Sequence, residues 1–255
     1  MIAGLPGQVW KHLGLWALGV LLIGCASQQA QEPASPPSSP AELSVSLLVT
    51  PAKAVPWTPL LWPGKLNVPF VATRYQGRPA LRVNADKSMS ILRQRLTDAP
   101  QRAGQIEFSW LVDGMFQQAD IGAAGQDDAP VRVVLAFDGD RSRLSARTRM
   151  QSELSRTLLG EEMPYATLTY VWCNSRPVGT VLVSPRTDRV RKIVVESGAD
   201  NVGQWREYRR DIAEDYRRAF GEEPGPLIGV ALMTDADNTG EKITAWYGAL
   251  RLTAP

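Results

Sequence analysis

Two apolar, β-branched segments near the carboxyl end are separated by Asp235-Ala236-Asp237-Asn238-Thr239-Gly240-Glu241. No other stretch of the chain suggests chemistry so directly. Oxygen-bearing side chains at alternate positions with glycine at the sixth resemble the opening of a calcium loop: Ca²⁺ takes about six to eight oxygens and glycine permits the sharp turn. On that reading Asp235, Asp237, Asn238 and Glu241 are candidate ligands of a structural calcium. The twelfth position is Trp246, where such a loop places a bidentate Glu, so the segment is not an EF-hand. The same residues also describe a polar turn, in which Asp237 or Asn238 hydrogen-bonds its own backbone and Gly240 takes positive φ.

Carboxylates can also hydrolyse glycosides when two of them stand roughly 5–9.5 Å apart and one has a raised pKa. Asp235, Asp237, Glu241 and the pair Asp127-Asp128 are the acids available for this, but acids at strand ends are ordinarily turn residues, so none is assigned a catalytic role. Aromatic faces offer a second route to sugar. Trp57 and Trp62 fall in a Pro-rich stretch and are candidate ligand contacts, or plugs for one end of the domain. Trp110 and Trp172 lie inside Phe-Ser-Trp-Leu-Val and Tyr-Val-Trp and are expected in the core; Trp246 and Tyr247 complete the aromatic set. Arg186, Arg189, Arg191 and Lys192, with the arginines from Arg206 to Arg218, raise an anion site. Glu207, Asp211, Glu214 and Asp215 interleave with them at spacings of three and four, which is the pattern of a salt-bridged helix surface.

Several chemistries are excluded. Of 255 residues only His12 is a histidine. His12 lies in a segment expected to be removed, so the mature chain can run neither Ser-His-Asp nor Cys-His catalysis. Two cysteines, Cys25 and Cys173, are too few for a four-Cys zinc site. Cys173, at a strand end with no His to activate it, is expected to be a buried small side chain. Twenty-eight basic against 26 acidic residues, a formal charge of +2, make no electrostatic case for nucleic acid.

The amino-terminal region places the chain. Residues 13–24 form an apolar run of twelve, preceded by Lys11 and followed at once by Cys25. That run is shorter than the roughly 20 residues a membrane span needs and matches a secretory signal, residues 1–24. Leu22-Ile23-Gly24-Cys25 resembles the bacterial lipobox, in which cleavage before the Cys leaves it as the acylated first residue. Cys25 is therefore the expected lipidation site and the bilayer the expected partner, since several acyl chains exceed the threshold for stable attachment. Ala26 in place of Asp points to the outer membrane in a Gram-negative host. Residues 25–42 are the lipidated Cys and a Pro/Ser-rich tether with no aliphatic side chain larger than Ala, too polar to fold by itself and about 50 Å long at about 3.1 Å per residue.

Residues 43–255 are expected to form one domain. Ten segments alternate or run β-branched between Gly, Pro, Asn and Asp: 43–49, 80–84, 88–93, 105–112, 131–137, 166–172, 178–183, 191–196, 227–233 and 243–252. Two others, 144–159 and 202–220, carry apolar residues at helical spacing, the second ending at Gly221. The pattern predicts a mainly β protein, a jelly-roll-like antiparallel β-sandwich with two amphipathic helices.

Leu168-Thr169-Tyr170-Val171-Trp172, Trp205, Arg210-Asp211, Asp215-Tyr216-Arg217, Ala219-Phe220-Gly221-Glu222-Glu223-Pro224 and the run Ile228 to Gly240 resemble the bacterial envelope family known as domain of unknown function 3047. The likeness runs from about Pro63-Gly64-Lys65 to the carboxyl end. It implies an exported protein whose sandwich is similar to carbohydrate-binding and galactose-binding-like modules. Where the family pattern leads one to expect Asp after Tyr-Gly, this chain has Ala249. The expectation is thus a membrane-anchored envelope protein that binds a glycan without cleaving it, with a carboxylate-dependent glycan hydrolase or an assembly partner as the alternatives. If Cys25 is the acylated residue, a Gram-negative host fed radiolabelled palmitate labels the full chain, and Cys25→Ser abolishes that label.

Overall fold

The computed structural model describes residues 57–96 and 104–253. Cys25, the signal segment, the tether and the expected strand 43–49 lie outside the described residues. Among the described residues, twelve strands and two α-helices follow in the order β1 (Thr58–Pro59), β2 (Val71–Tyr75), β3 (Arg78–Asp86), β4 (Met89–Arg95), β5 (Gln105–Val112), β6 (Ala129–Phe137), α1 (Ala146–Leu159), β7 (Ala166–Cys173), β8 (Val181–Val183), β9 (Val190–Ser197), β10 (Arg206–Asp211), α2 (Ile212–Phe220), β11 (Leu227–Asp235) and β12 (Lys242–Thr253). No helix among the described residues is long and apolar enough to cross a membrane.

The strands form two sheets, one ordered β1-β4-β11-β6-β7-β9-β8 and the other β10-β5-β12-β3-β2. Their inner faces meet in one core. Val131, Val133, Leu135 and Phe137 of β6, with Leu168, Tyr170 and Trp172 of β7, face Ile106, Phe108, Trp110 and Val112 of β5 and Tyr247, Leu250 and Leu252 of β12. The two-residue side-chain period sends every second residue inward. Phe108 stacks on Tyr170 at 5.5 Å between ring centroids, joining the sheets. Trp110 and Trp172 are fully buried, as core residues should be.

This is the expected β-sandwich, with two departures. First, β7 and β9 run parallel, because β8 folds back as an antiparallel neighbour of β9 before the chain returns. Second, the segment expected to be helical over 202–220 is a strand over Arg206–Asp211. Arg206, Tyr208 and Arg210 are half-buried while Glu207, Arg209 and Asp211 are exposed, a period of two that pairs β10 with β5. The helix begins only at Ile212, where the Asp211 side chain accepts from the Glu214 backbone N–H.

Near the chain's end the β12 register slips between Tyr247 and Leu250. A Cβ on Gly248 would stand 2.3 Å from Ser109 Oγ, so a larger residue there requires the serine hydroxyl to turn away. Ala249 is exposed on this irregularity in the five-stranded sheet. Beside it, the fully buried Tyr247 reaches across the sandwich. Its hydroxyl donates to the Met233 carbonyl at 2.7 Å, accepts from the Arg132 amide at 3.3 Å and shares a 2.9 Å bond with Thr234 Oγ1. Tyr247→Phe leaves that amide without its partner and should destabilise the protein by about 1–3 kcal/mol in urea denaturation.

Candidate functional site

The outward face of the seven-stranded sheet is not flat. Cross-strand register aligns Arg93 of β4, Ala231 of β11, Val134 of β6, Thr169 of β7 and Lys192 of β9 in one row. The next row runs Arg95, Gly229, Ala136, Thr167 and Val190. The first row is small in the middle and long at both ends, and the second runs low from Gly229 to Thr167 beside Arg95, so the centre of the sheet is a trench. The chain around Trp62 and the segment from Ser155 to Pro164 rise beside it, leaving a groove of about 620 Å³. That volume falls within the range of small-molecule sites.

One end of the groove is ionic. Arg132, central in β6 and 5% exposed, donates to Asp235 Oδ2 at 3.0 Å and to the Asp127 carbonyl. Asp127 Oδ2 accepts from Lys192 Nζ at 3.2 Å and from Arg186 at 3.1 Å, and Lys192 also donates to the Ile121 carbonyl at 2.7 Å. Lys65 pairs with Asp237 at 2.7 Å.

These groups are desolvated, and their acidities move accordingly. Burial pushes Asp235 up to about 6; Arg132 opposes this, while Asp128, Asp237 and Asp127 add to it. Burial and then the charge of Arg132 bring Lys192 down to about 8, against the pull of Asp127. Burial also works against ionising Asp127, but Lys192, Arg132 and Arg186 outweigh it and hold that carboxyl below its ordinary value.

The four residues read as calcium ligands do not converge. Glu241 accepts the backbone N–H groups of Gln117 and Gln118 at 2.9–3.2 Å, and so closes a neighbouring loop. Asn238 turns its amide N–H to Asp128 Oδ1 at 2.7 Å, and Thr239 donates to Asp128 twice at 2.8 Å, so these side chains bind a distant acid and not the turn's own backbone. Gly240 has φ of +68°, as that turn requires. Asp128, Asp235 and Asp237 do come together, with one oxygen of each within 4.8 Å of the others. Asp235 Oδ1 is buried there without a hydrogen-bond partner, a feature that suits a cation. Arg132 and Lys65 already serve as the counterions of Asp235 and Asp237, which makes this corner a poor fit for Ca²⁺.

The tryptophans divide. Trp62 is 43% exposed at the groove, whereas Trp57 is half-buried and packed against the core. Trp246 lies on the other sheet, stacked on Tyr75 at 4.1 Å. Of the basic residues, Arg186 and Lys192 reach the groove; Arg189 pairs with Glu222 and Arg210 with Asp215. Cys173 is buried, its thiol 3.4 Å from the Arg176 carbonyl. Sequence reading missed Arg132 and Arg93. The available signal was a single charged residue in an otherwise apolar strand, Val131-Arg132-Val133, which must face away from the core and find an acid.

A folded-state value near 6 lies above the roughly 3.9 of an unfolded Asp, so the folded chain holds this proton more tightly. The stability contributed by Asp235 is therefore full below about pH 4 and lost as pH rises through about 6. Asp235→Asn should flatten that limb, whose slope is at most about 1.4 kcal/mol per pH unit, in urea denaturation across that window.

No curated protein matches the chain. One family model does, over residues 55–251, a span that includes every residue of the groove and both sheets but for the last two residues of β12. The chain belongs to that family, described as protein of unknown function DUF3047.

Proposed function

We propose that this protein is an anchored component of the bacterial cell envelope whose groove binds a glycan without cleaving it. The observation that carries this reading is the groove itself, with its small-residue floor and its ionic end. A pyranose presents hydroxyls around its edge and an apolar face. Asp127 and Asp235 can accept from hydroxyls, while Arg186 and Lys192 can donate to them. Val134, Met233 and the exposed Trp62 offer apolar surface. The resemblance to carbohydrate-binding modules agrees with this, and the lipobox-like Cys25 supplies the anchor.

The hydrolase reading keeps one specific observation in its favour. Asp235 is pushed up and Asp127 held down in the same groove, the separation that general acid and base need. The mature chain's lack of histidine is compatible with both readings.

A glycan array followed by titration calorimetry tests the proposal. The wild type should retain at least one glycan. Ala231→Leu, which fills the trench without altering a charge, should weaken it at least about tenfold, the effect of losing some 1.4 kcal/mol of contact. A protein that retains no glycan sinks the binding reading. Release of reducing ends from the bound glycan, lost in Asp235→Asn, would instead establish the hydrolase.

A further inference from the structure

Helix α1 shows its apolar side to solvent. Met150, Leu154 and Leu158, four residues apart and therefore on one face, are 64%, 57% and 55% exposed. Its buried residues are Thr148 and Ser152. The helix is held to the body by hydrogen bonds from its polar side: Thr148 Oγ1 to Asp188 at 2.8 Å, Gln151 to the Arg186 carbonyl at 3.0 Å, and Ser152 Oγ accepting from the Met163 amide at 3.2 Å. A helix that serves only the fold turns its apolar stripe inward, so this orientation calls for an external partner.

The charges say what kind. Arg143 and Arg156 are paired with Glu222 and Glu162, which leaves exposed Arg147 and Arg149 without an ion pair among the described residues, against exposed Glu153. Arg147 precedes Met150 by one turn and shares its face. Arg149 and Arg156, two turns apart, flank the stripe together. A second copy of the chain docking by this face would oppose like charges. An anionic lipid surface meets both requirements, since the leucines and methionine enter the acyl boundary while arginine stems lie flat and their guanidinium groups reach phosphate.

We propose that α1 is an interfacial helix that lies on anionic phospholipid headgroups with Met150, Leu154 and Leu158 inserted. This goes beyond the groove; it rests on the envelope reading only in placing a bilayer beside the chain. One short helix binds lipid weakly, and a tether to the same bilayer would raise its effective concentration enough for occupancy.

The test uses the full chain with Leu154→Cys carrying an environment-sensitive fluorophore. Glu207→Cys, exposed on the five-stranded sheet, is the control, and the unsubstituted chain is the blank for Cys25 and Cys173. In phosphatidylcholine vesicles containing phosphatidylglycerol, emission at position 154 should at least double, shift to the blue and fade as salt is raised; the control should not move. Arg147→Gln with Arg149→Gln should remove the response and leave the melting temperature nearly unchanged, because both side chains are exposed and outside any ion pair among the described residues. The proposal is overturned by silence at position 154, by an equal response in phosphatidylcholine alone or at both labels, or by a response that needs a second protein in the vesicles. If the chain is not retained on vesicles at all, the anchor reading fails by itself. Phosphatidylglycerol vesicles added to the free chain then still decide the question for the helix.

Discussion

Arg132 links the outer groove to the packing between the two sheets. Its strand, β6, is central in the seven-stranded sheet, so a charge there is shielded from water and must find partners within the fold. On the outward side it takes Asp235 and the carbonyl of Asp127. On the inward side its own amide is met by Tyr247, which comes from the opposite sheet. The groove chemistry and the packing of the sandwich are thus connected through one residue. The acidities of Asp235, Asp127 and Lys192 all include its charge among their causes.

Around that point the outer sheet face is built by contrast in size. Gly229, Ala231 and Ala136 keep the middle low, while Arg93, Arg95 and Lys192 stand at the sides. A sheet face covered by helices would fill such a trench with large aliphatic residues. Here α1 contributes Ser155 and Leu159 to the groove edge and turns its remaining apolar side chains away. The two unusual features of the molecule, an open charged groove and an outward apolar stripe, therefore meet in a helix that is hydrogen-bonded to Arg186 and Asp188 of the β8–β9 loop and to Met163 without being buried on the sheet.

Much of the fold was legible because it depends on local alternation. Val131 to Phe137 and Ala166 to Trp172 read as strands from their residue types, and Trp110 and Trp172 as core from their place within such strands. The stretch 202–220 misled because Trp205, Ile212, Tyr216 and Phe220 suit a helical spacing, while Arg206-Glu207-Tyr208-Arg209-Arg210 hides a period of two in which arginine stems fill the half-buried positions. The strands β1 and β2 escaped notice because Thr58–Pro59 is two residues long and Val71–Tyr75 is a half-exposed edge without an apolar alternation. At the site, the acids of 235–241 and the pair Asp127-Asp128 stood out as residue types. Their assignment to partners did not, since Asp128 meets Asn238 and Thr239 across more than a hundred residues of chain.

By itself the sequence determined the class of fold, which follows from composition and short-range period; an export signal over residues 1–24, and a mature chain without imidazole, are what it leads one to expect. Tertiary structure alone decided which charges become neighbours. It gave Asp235 to Arg132 and Asp237 to Lys65, directed Glu241 into a neighbouring loop, and turned Met150, Leu154 and Leu158 outward. The reason is physical. A side chain's periodicity says which face of its own element it occupies, but whether that face meets a core, a counter-charge or solvent depends on elements brought beside it from distant parts of the chain.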